Sequence, residues 1–183
     1  LLRARQMCLL PKMIQRAIRE DVDRREEFCE KLGATSKINA VMDKIYTRRE
    51  NGRRKIVFCH FLTEMATCIH RLEAMGLSVG VINGNVVDRA AVLDGGWDVL
   101  VVQIQTACEG LNLQDYSEIY FTSPHWNPAV EAQAVARCHR IGQEAEVDVF
   151  RFTMETIDDM DTLDMCIKKC QERKLELAAA LGF

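Results

Sequence analysis

One stretch of the chain, HWNPAVEAQAVARCHRIGQ at residues 125 to 143, spaces its polar side chains as a helix does. Gln133, Arg137 and Arg140 stand at positions i, i+4 and i+7, which places them on one side of a helix. Arginine stays cationic, and its planar fork contacts two phosphate oxygens at once. A rigid pair of arginines therefore suits the charge that develops on a phosphoryl group during its transfer.

A simpler interpretation makes Arg137 and Arg140 surface residues that pair with Glu131 or Glu144. The expected magnitudes differ, since an exposed ion pair contributes about 0–1 kcal/mol to stability. An arginine that contacts a transferring phosphoryl group lowers the barrier by ~4–7 kcal/mol. The spacing alone leaves both interpretations open.

The helix that carries the arginines has a recognisable beginning and end. Asn127 can cap it, Pro128 suits its first position, and Glu131 lies in the first turn, where the helix dipole favours a carboxylate. Gly142 is predicted to end it. The smaller, more apolar side is predicted to pack on a sheet and consists of Ala132, Val135, Ala136 and His139.

Five short apolar runs alternate with helical segments through the rest of the chain. The runs are residues 55–60, 78–83, 98–103, 118–123 and 147–152, and the helical segments are 62–76, 86–95 and 128–142. This alternation predicts an α/β fold with a parallel sheet and helices on both faces. Ligands collect at the carboxyl ends of such strands. Chemistry is therefore predicted at His60, Phe61, Asn83, Gly84 and residues 105–112 and 123–127.

Helices are also predicted at both ends of the chain. Residues 12–32 form an N-terminal helix that ends at Gly33, and a second helix begins at Thr35 or Ser36 and runs to Tyr46. A C-terminal helix is predicted for residues 158–180. The apolar stripe of the second helix consists of Ile38, Val41, Met42 and Ile45.

Composition excludes several classes of protein. The 183 residues, 48% hydrophobic and 28% charged, fit one globular domain, and the net charge of -3 does not decide whether the chain binds nucleic acid. The eight cysteines contain no C-x-x-C pair, and the only close pair is Cys166 and Cys170, so we predict reduced thiols, no metal site and a reducing compartment. No apolar run is long enough to span a membrane.

Several words of the sequence resemble the SWI/SNF family of DNA-dependent ATPases. TACEGLNL (106–113), HWNP (125–128) and QAVARCHRIGQ (133–143) resemble helicase motifs V and VI, and KIVFCHF (55–61) resembles motif IV. TSKI (35–38) is similar to the segment by which that family enters its second RecA-like lobe. The resemblance covers residues 35–160 and implies that fold for this chain.

The resemblance also implies a nucleotide site shared between two lobes. Arg137 and Arg140 correspond to the arginine fingers that reach across a cleft to phosphates held by the first lobe, together with Mg²⁺. Gln133 and Gln143 correspond to the polar supports of motif VI, and Gly110 lies in the loop that transmits DNA contact to the ATP site.

Contacts with double-stranded DNA are implied mainly for the loop TACEGLNL. Thr106 can offer a hydroxyl, Gly110 permits close approach of the backbone, and Asn112 can hold the loop by a hydrogen bond. An ordinary strand-to-helix turn is the alternative. Glu109 departs from the glycine usual in the family, and a carboxylate there repels phosphate. The C-E-G-L-N-L variant resembles members from large DNA viruses.

Other residues have both a nucleic-acid interpretation and a structural one. Trp126 can stack on a base or pack against the start of the arginine helix. His60 and Phe61 can contact DNA phosphate or belong to the core. Gly84 and Arg89 resemble a shortened glycine-to-arginine segment of the family. A basic run can bind the DNA backbone or form a solvated loop, and it consists of Arg48, Arg49, Arg53, Arg54 and Lys55.

The 183 residues contain neither a G-x-x-x-x-G-K-[ST] phosphate loop nor a D-E-x-x metal-binding box. We therefore expect the chain, which begins without methionine, to be a piece of a longer protein that acts with an N-terminal RecA-like ATPase lobe. Alone it is expected to bind ATP poorly and not to hydrolyse it. The predicted division is an N-terminal helical segment (1–34), the RecA-like lobe (35–160) and a C-terminal helix (161–183).

The predicted function is the second motor lobe of a double-stranded DNA translocase that acts on DNA-bound proteins in the nucleus or cytoplasm, or in a viral factory. Two alternatives remain at this point. One is a lobe of a strand-unwinding helicase of the same superfamily, which the HRIGQ and WNP words disfavour. The other is a degenerate binding scaffold, which only Glu109 favours.

Overall fold

The computed structural model describes residue 5 and residues 37–108, 110–155 and 161–181. The predicted helix at residues 12–32 lies outside this part of the chain. The helices are α1 (Lys37–Thr47), α2 (Leu62–Ala74), α3 (Arg89–Leu93), α4 (Pro128–Cys138) and α5 (Leu163–Ala180). The strands are β1 (Lys55–Cys59), β2 (Val79–Ile82), β3 (Val99–Gln103), β4 (Glu118–Phe121) and β5 (Asp148–Arg151), and a 3-10 turn spans Ile104–Cys108.

The five strands form one parallel sheet in the order β2-β3-β1-β4-β5. In its centre Val57 of β1 lies opposite Val101 of β3 and Tyr120 of β4. All five predicted strands are present, and the observed strands are slightly shorter than the predicted runs. The predicted α/β fold with a parallel sheet is therefore confirmed.

Alternate residues of each strand enter different cores. Ile56 and Phe58 pack with α3 and α4 on one face, whereas Val57 and Cys59 pack with α1 and α2 on the other. This alternation follows from the two-residue period of a strand. The chain therefore leaves β1 towards one face and leaves β4, its neighbour, towards the opposite face. A crevice forms between the carboxyl ends of two such strands, and in open α/β sheets it is the usual place for a ligand.

Helix α1 covers the sheet with its predicted stripe. Ile38, Val41, Met42 and Ile45 are completely buried, as their spacing at i, i+3, i+4 and i+7 indicates. Lys37, which precedes them, is also buried, and the apolar pattern did not predict this. Within the described ranges, no helix combines the length and hydropathy that crossing a membrane requires.

The amino-terminal edge of the sheet holds a buried carboxylate, that of Glu118 in β4. Its Oε1 accepts hydrogen bonds from Arg48 Nε at 2.9 Å and from Asn51 Nδ2 at 2.6 Å. Its Oε2 accepts from the Tyr120 hydroxyl at 2.7 Å and lies 3.6 Å from Lys55 Nζ. Since Glu118 is fully buried, these donors replace the water that a carboxylate otherwise binds.

A second carboxylate, that of Asp148 in β5, extends this cluster. Its Oδ2 accepts from Arg48 at 2.8 Å and from Arg53 at 2.6 Å. Three of the five cations in the basic run, Arg48, Arg53 and Lys55, therefore pair with these two carboxylates at the edge opposite the carboxyl ends of the strands. Neither sequence interpretation of Arg48, Arg53 and Lys55 foresaw the carboxylates that β4 and β5 bring beside them. Arg48 and Arg53 keep 29% and 26% of their side chains exposed, and DNA contact by the run stays a prediction.

Gly80 in β2 is required because the Trp97 side chain covers it. A Cβ atom at Gly80 would lie 2.3 Å from Trp97 Cδ1, far closer than van der Waals contact allows. We expect Gly80→Ala to lower the free energy of unfolding by ~1–3 kcal/mol, since the indole must move out of its packed position. Urea denaturation of this chain measures the change.

Gly84→Ala is the matched control for Gly80→Ala. The nearest atom to a Cβ at Gly84 is Gln103 Oε1 at 3.9 Å, which is ordinary contact. This variant should be close to neutral, or about 0.4–1 kcal/mol more stable through the unfolded state. Equal stability changes in the two variants would show that the indole does not constrain Gly80.

Candidate functional site

Helix α4 begins as predicted and ends earlier than predicted. The Asn127 side chain accepts a hydrogen bond from Ala129 N at 3.1 Å, and Pro128 occupies the first helical position. The helix ends at Cys138, because His139 has a ψ of 79°. The predicted end at Gly142 is wrong: that glycine, at a φ of 104°, belongs to the turn that follows.

The buried side of α4 also differs from the predicted one. Glu131, Ala134 and Cys138 are buried, with Val135 partly buried against the core. The predicted assignment is wrong for Ala132, Ala136 and His139, which lie outside that buried side. The reason is the burial of Glu131, a charged residue that an apolar pattern assigns to the solvent side.

Arg137 and Arg140 have no internal partner among the residues that the structure describes. Arg137 is half-buried in the last turn of α4, and Arg140 is exposed in the turn beyond it. Of their two expected surface partners, Glu131 binds Arg151 Nε at 3.0 Å instead, and Glu144 pairs with neither arginine in the described ranges. The simple ion-pair interpretation therefore fails.

The observed end of α4 also changes how the arginines are presented. Since Arg140 lies outside the helix, it does not share a helical face with Arg137. Gln133 and Arg137 remain one turn apart on α4, and Gln133 is exposed. The predicted common face is thus correct for Gln133 and Arg137 only. A hydrogen-bonded turn, and not the helix, sets the direction of Arg140.

Gln143 holds that turn against the loop between β3 and β4. Its Nε2 lies 2.6 Å from Gln114 O and 3.3 Å from Tyr116 O, and its Oε1 accepts from Ala145 N at 3.0 Å. In the backbone, Leu113 N donates to the carbonyl of Arg137 at 3.2 Å. The end of α4 and the end of the TACEGLNL segment are therefore joined by direct hydrogen bonds.

The predicted DNA-contacting residues of that segment differ in exposure. Thr106 is buried, and its hydroxyl donates to the carbonyl of Gln103, the last residue of β3, at 2.7 Å. Asn112 is exposed, and the loop-holding hydrogen bond expected of it is absent from the described part of the chain. Gly110 has a φ of 80°, and a Cβ atom added there would meet open space, so conformation and not crowding requires glycine. Glu109 lies outside the described residues.

His60 and Phe61 lie at the crevice, directly after β1. His60 is buried, its Nε2 donates to Ser123 O at 3.1 Å, and its Nδ1 lies 3.1 Å from Arg5 Nη2. Burial and then the neighbouring charge of Arg5 lower the pKa of His60 to about 3. The ring is therefore neutral at physiological pH and cannot meet a phosphate as a cation.

Three buried charged residues of the crevice escaped the sequence analysis. Glu64 of α2 accepts hydrogen bonds from His60 N at 2.8 Å and from Phe61 N at 3.1 Å, and burial raises its pKa. Lys37 of α1 and Asp164 of α5 form a buried ion pair. The only available signal for Glu64 was its place three residues after Phe61 at a helix start, which is where a capping carboxylate stands.

The cysteines show no arrangement that could hold a metal among the described residues. Cys59, Cys68 and Cys138 are buried free thiols, and Cys166 and Cys170 are exposed free thiols on α5. Burial raises the pKa of Cys138 to about 12, so this thiol is not nucleophilic. Within the described ranges, no three His, Cys, Asp or Glu side chains converge on one point.

The model of one protein family, described as the helicase conserved C-terminal domain, matches residues 36–142. The DNA repair protein RAD5 of Gibberella zeae is 32% identical over 158 residues, which are 81% of this chain and 13% of that protein. The helicase-like transcription factor of Homo sapiens is 29% identical over 157 residues, which are 80% of this chain and 15% of that protein. The chain therefore spans a small part of these relatives.

Among solved structures, the C-terminal part of the Fun30 ATPase domain has a similar fold. The TM-score is 0.58 at 14% sequence identity, over 82% of this chain and 60% of that one. Together with the parallel sheet, this match confirms a RecA-like fold.

The family match includes the crevice, α4 and both arginines, so the chain belongs to the helicase conserved C-terminal domain family. It is a second RecA-like lobe of the SWI/SNF type, as the motif resemblance predicts. An origin in a large DNA virus and the three-part division of the chain stay predictions.

Proposed function

We propose that this chain is the second motor lobe of an ATP-dependent double-stranded DNA translocase, and that Arg137 and Arg140 contact the nucleotide held by an N-terminal ATPase lobe. The observation that carries the proposal is that both guanidiniums lie within the matched helicase domain without a carboxylate partner among the described residues. An arginine that completes a site on another lobe is expected to lack a carboxylate partner within its own lobe.

The residues on this side of the cleft fit a nucleotide polyphosphate. The backbone of Arg137 is held by α4 and that of Arg140 by the turn that Gln143 ties down, so both guanidiniums start from fixed points of the chain. Bound ATP and Mg²⁺, both held mainly by the first lobe, would supply the γ-phosphoryl group and neutralise charge on it. Gln133, Gln143 and Gly110 support the arginines on the side of this lobe.

The DNA-contacting side of the proposed motor is the loop between β3 and β4. The bond from Leu113 N to Arg137 O and the contacts of Gln143 join this loop to the arginines, so a displacement of one moves the other. The exposed Asn112 is the proposed contact with the DNA backbone, with His60, Phe61 and Trp126 near the crevice. Thr106, predicted as a contact, is buried and donates its one hydroxyl proton to Gln103 O, so its proposed part is to hold the loop. Because His60 is neutral, its part is that of a hydrogen-bonding or packing group.

The relatives support DNA as the partner, because one is named a DNA repair protein and the family is named for helicases. On this proposal the protein displaces or slides DNA-bound proteins in the nucleus or cytoplasm, or in a viral factory. The HRIGQ and WNP words of the sequence favour translocation over strand unwinding, and the match to the helicase domain supports a motor over an inactive scaffold.

The test combines this chain with an N-terminal ATPase lobe, fused or mixed. The chain alone should not hydrolyse ATP, and the combination should hydrolyse it faster when double-stranded DNA is added. A triplex-displacement assay should show movement along the duplex, and a strand-displacement assay should show no unwinding. Hydrolysis by the isolated chain, or hydrolysis by the combination that is indifferent to DNA, would contradict the proposal.

A further inference from the structure

The loop between β4 and α4, residues 123–127, is held from outside the sheet at three consecutive carbonyls. Pro124 O accepts from Arg5 Nη2 at 2.6 Å, His125 O from Gln171 Nε2 at 2.6 Å, and Trp126 O from Lys174 Nζ at 2.9 Å. A strand-to-helix loop more often satisfies its carbonyls with water.

Helix α5 supplies two of these donors and a third attachment. Gln171 and Lys174 lie two and three turns after Asp164, so the three side chains share one side of the helix. Asp164 pairs with Lys37, whose Nζ also donates to the Ser123 hydroxyl oxygen at 2.6 Å. Helix α5 therefore contacts the loop directly at His125 and Trp126, and it reaches Ser123 only through Lys37 of α1.

Gln171 has a special place among these contacts because it joins the loop to α4 itself. Besides His125 O, its Nε2 donates to Glu131 Oε1 at 3.0 Å, so both amide hydrogens are used. Glu131 lies in the first turn of α4 and is buried; it also accepts from His125 N at 2.8 Å and from Arg151 Nε at 3.0 Å.

The geometry points to Gln171 as a positioning residue for Arg137: by bonding His125 and Glu131 together, it sets the direction in which α4 leaves the sheet. Arg137 lies six residues after Glu131 on the same helix, so a tilt of the first turn displaces its guanidinium. This inference rests on the proposed function, because it assumes that Arg137 meets a nucleotide.

Gln171→Met tests the inference, because methionine keeps the length of the side chain and removes both donors. In the two-lobe protein we expect kcat for DNA-stimulated ATP hydrolysis to fall about tenfold, with KM for ATP changing less than about twofold, since misplacement by a fraction of an ångström weakens mainly the transition-state contact. Glu172→Met is the matched control, since Glu172 is exposed on the same helix. It should keep the wild-type kcat.

A second measurement uses this chain without the first lobe. The chain has two tryptophans, so labelling with 5-fluorotryptophan gives two ¹⁹F resonances, which a Trp126→Phe variant assigns. We expect Gln171→Met to shift or broaden the Trp126 resonance and to leave that of Trp97, which packs against Gly80 and Gly95. Lys174 is an exposed residue that supports the same loop, so Lys174→Met should not disturb folding. We expect this variant to shift the Trp126 resonance less than Gln171→Met does.

The outcomes separate the inference from the proposed function. A Trp126 resonance that Gln171→Met leaves unmoved overturns the inference, and so does a kcat for Gln171→Met equal to that of Glu172→Met. If the wild-type two-lobe protein shows no DNA-stimulated hydrolysis, the proposed function fails, whereas the ¹⁹F spectra still decide whether Gln171 holds the loop.

Discussion

Replacing Arg140 with alanine in the two-lobe protein is expected to slow DNA-stimulated ATP hydrolysis ~10³- to 10⁵-fold, which is ~4–7 kcal/mol in the activation barrier. The guanidinium is exposed and lacks a partner in the described part of the chain, so little else depends on it. Arg137→Ala should have an effect of similar size. Steady-state hydrolysis with saturating DNA measures both.

The stability of the same variants distinguishes loss of catalysis from loss of folding. Because Arg140 is exposed and unpaired among the described residues, Arg140→Ala should change the free energy of unfolding by less than about 0.5 kcal/mol. Arg140→Lys should remain slow, since an ammonium group cannot make the two-point contact of a guanidinium.

Arg173→Ala is the matched control, because Arg173 is an exposed arginine on α5, outside the matched helicase domain. Its hydrolysis rate should equal that of the wild type. If Arg140→Ala and Arg173→Ala hydrolyse ATP equally fast, Arg140 is not an arginine finger. The assignment of the nucleotide site to this turn would then be lost.

Glu118→Gln is expected to lower the free energy of unfolding by ~3–5 kcal/mol, the usual consequence of removing one partner from a buried ion pair. The substitution leaves Arg48 and the nearly buried Lys55 without their common carboxylate. The amide also presents a donor to the Asn51 and Arg48 donors. Denaturant unfolding of this chain at pH 7 measures the loss.

Glu50→Gln provides the matched control for Glu118→Gln. Glu50 pairs with Arg49 at 2.8 Å, but its side chain is 82% exposed. An exposed pair contributes about 0–1 kcal/mol, so this variant should unfold almost as the wild type does. If the two variants lose the same stability, the cluster around Glu118 does not stabilise the fold.

The stabilisation that Glu118 contributes is expected to depend on pH. Burial by itself would raise the pKa of Glu118. Hydrogen bonds from Arg48, Tyr120 and Asn51 lower the pKa by more than burial raises it, so the pKa lies below its ordinary value of 4.5. The carboxylate therefore stabilises the fold fully above pH 4.5, and this contribution is lost as the pH falls through the lower folded-state pKa. The stability difference between wild type and Glu118→Gln should be constant at neutral pH and should shrink in acid.

Local periodicity was sufficient for most of the secondary structure. The stripe Ile38, Val41, Met42 and Ile45 specifies the buried side of α1, because a helix alone determines which residues share a side. The five strands are likewise visible as short apolar runs, since both faces of a parallel sheet are covered. The family was recognisable because its motifs are contiguous words, and the match to residues 36–142 confirms it.

Only the tertiary structure decided which charged residues lie in the interior. Glu118, Glu131 and Asp164 look like surface residues in the sequence, and each is buried because strands or helices distant in the chain bring donors to it. No pattern within one element contains those donors: Arg48 reaches Glu118 across 70 positions, and Lys37 reaches Asp164 across 127.

The sequence by itself placed Arg137 and Arg140 in a helicase-like motif, because the residue types of such a motif are local, and on that ground it predicts that they carry the chemistry. Only the tertiary structure decided how they are presented. Helix α4 ends at Cys138, before Arg140. Gln143 holds the turn beyond the helix by a hydrogen bond to the loop between β3 and β4. The direction of a side chain outside regular structure depends on such long-range hydrogen bonds, and these exist only after the sheet has assembled.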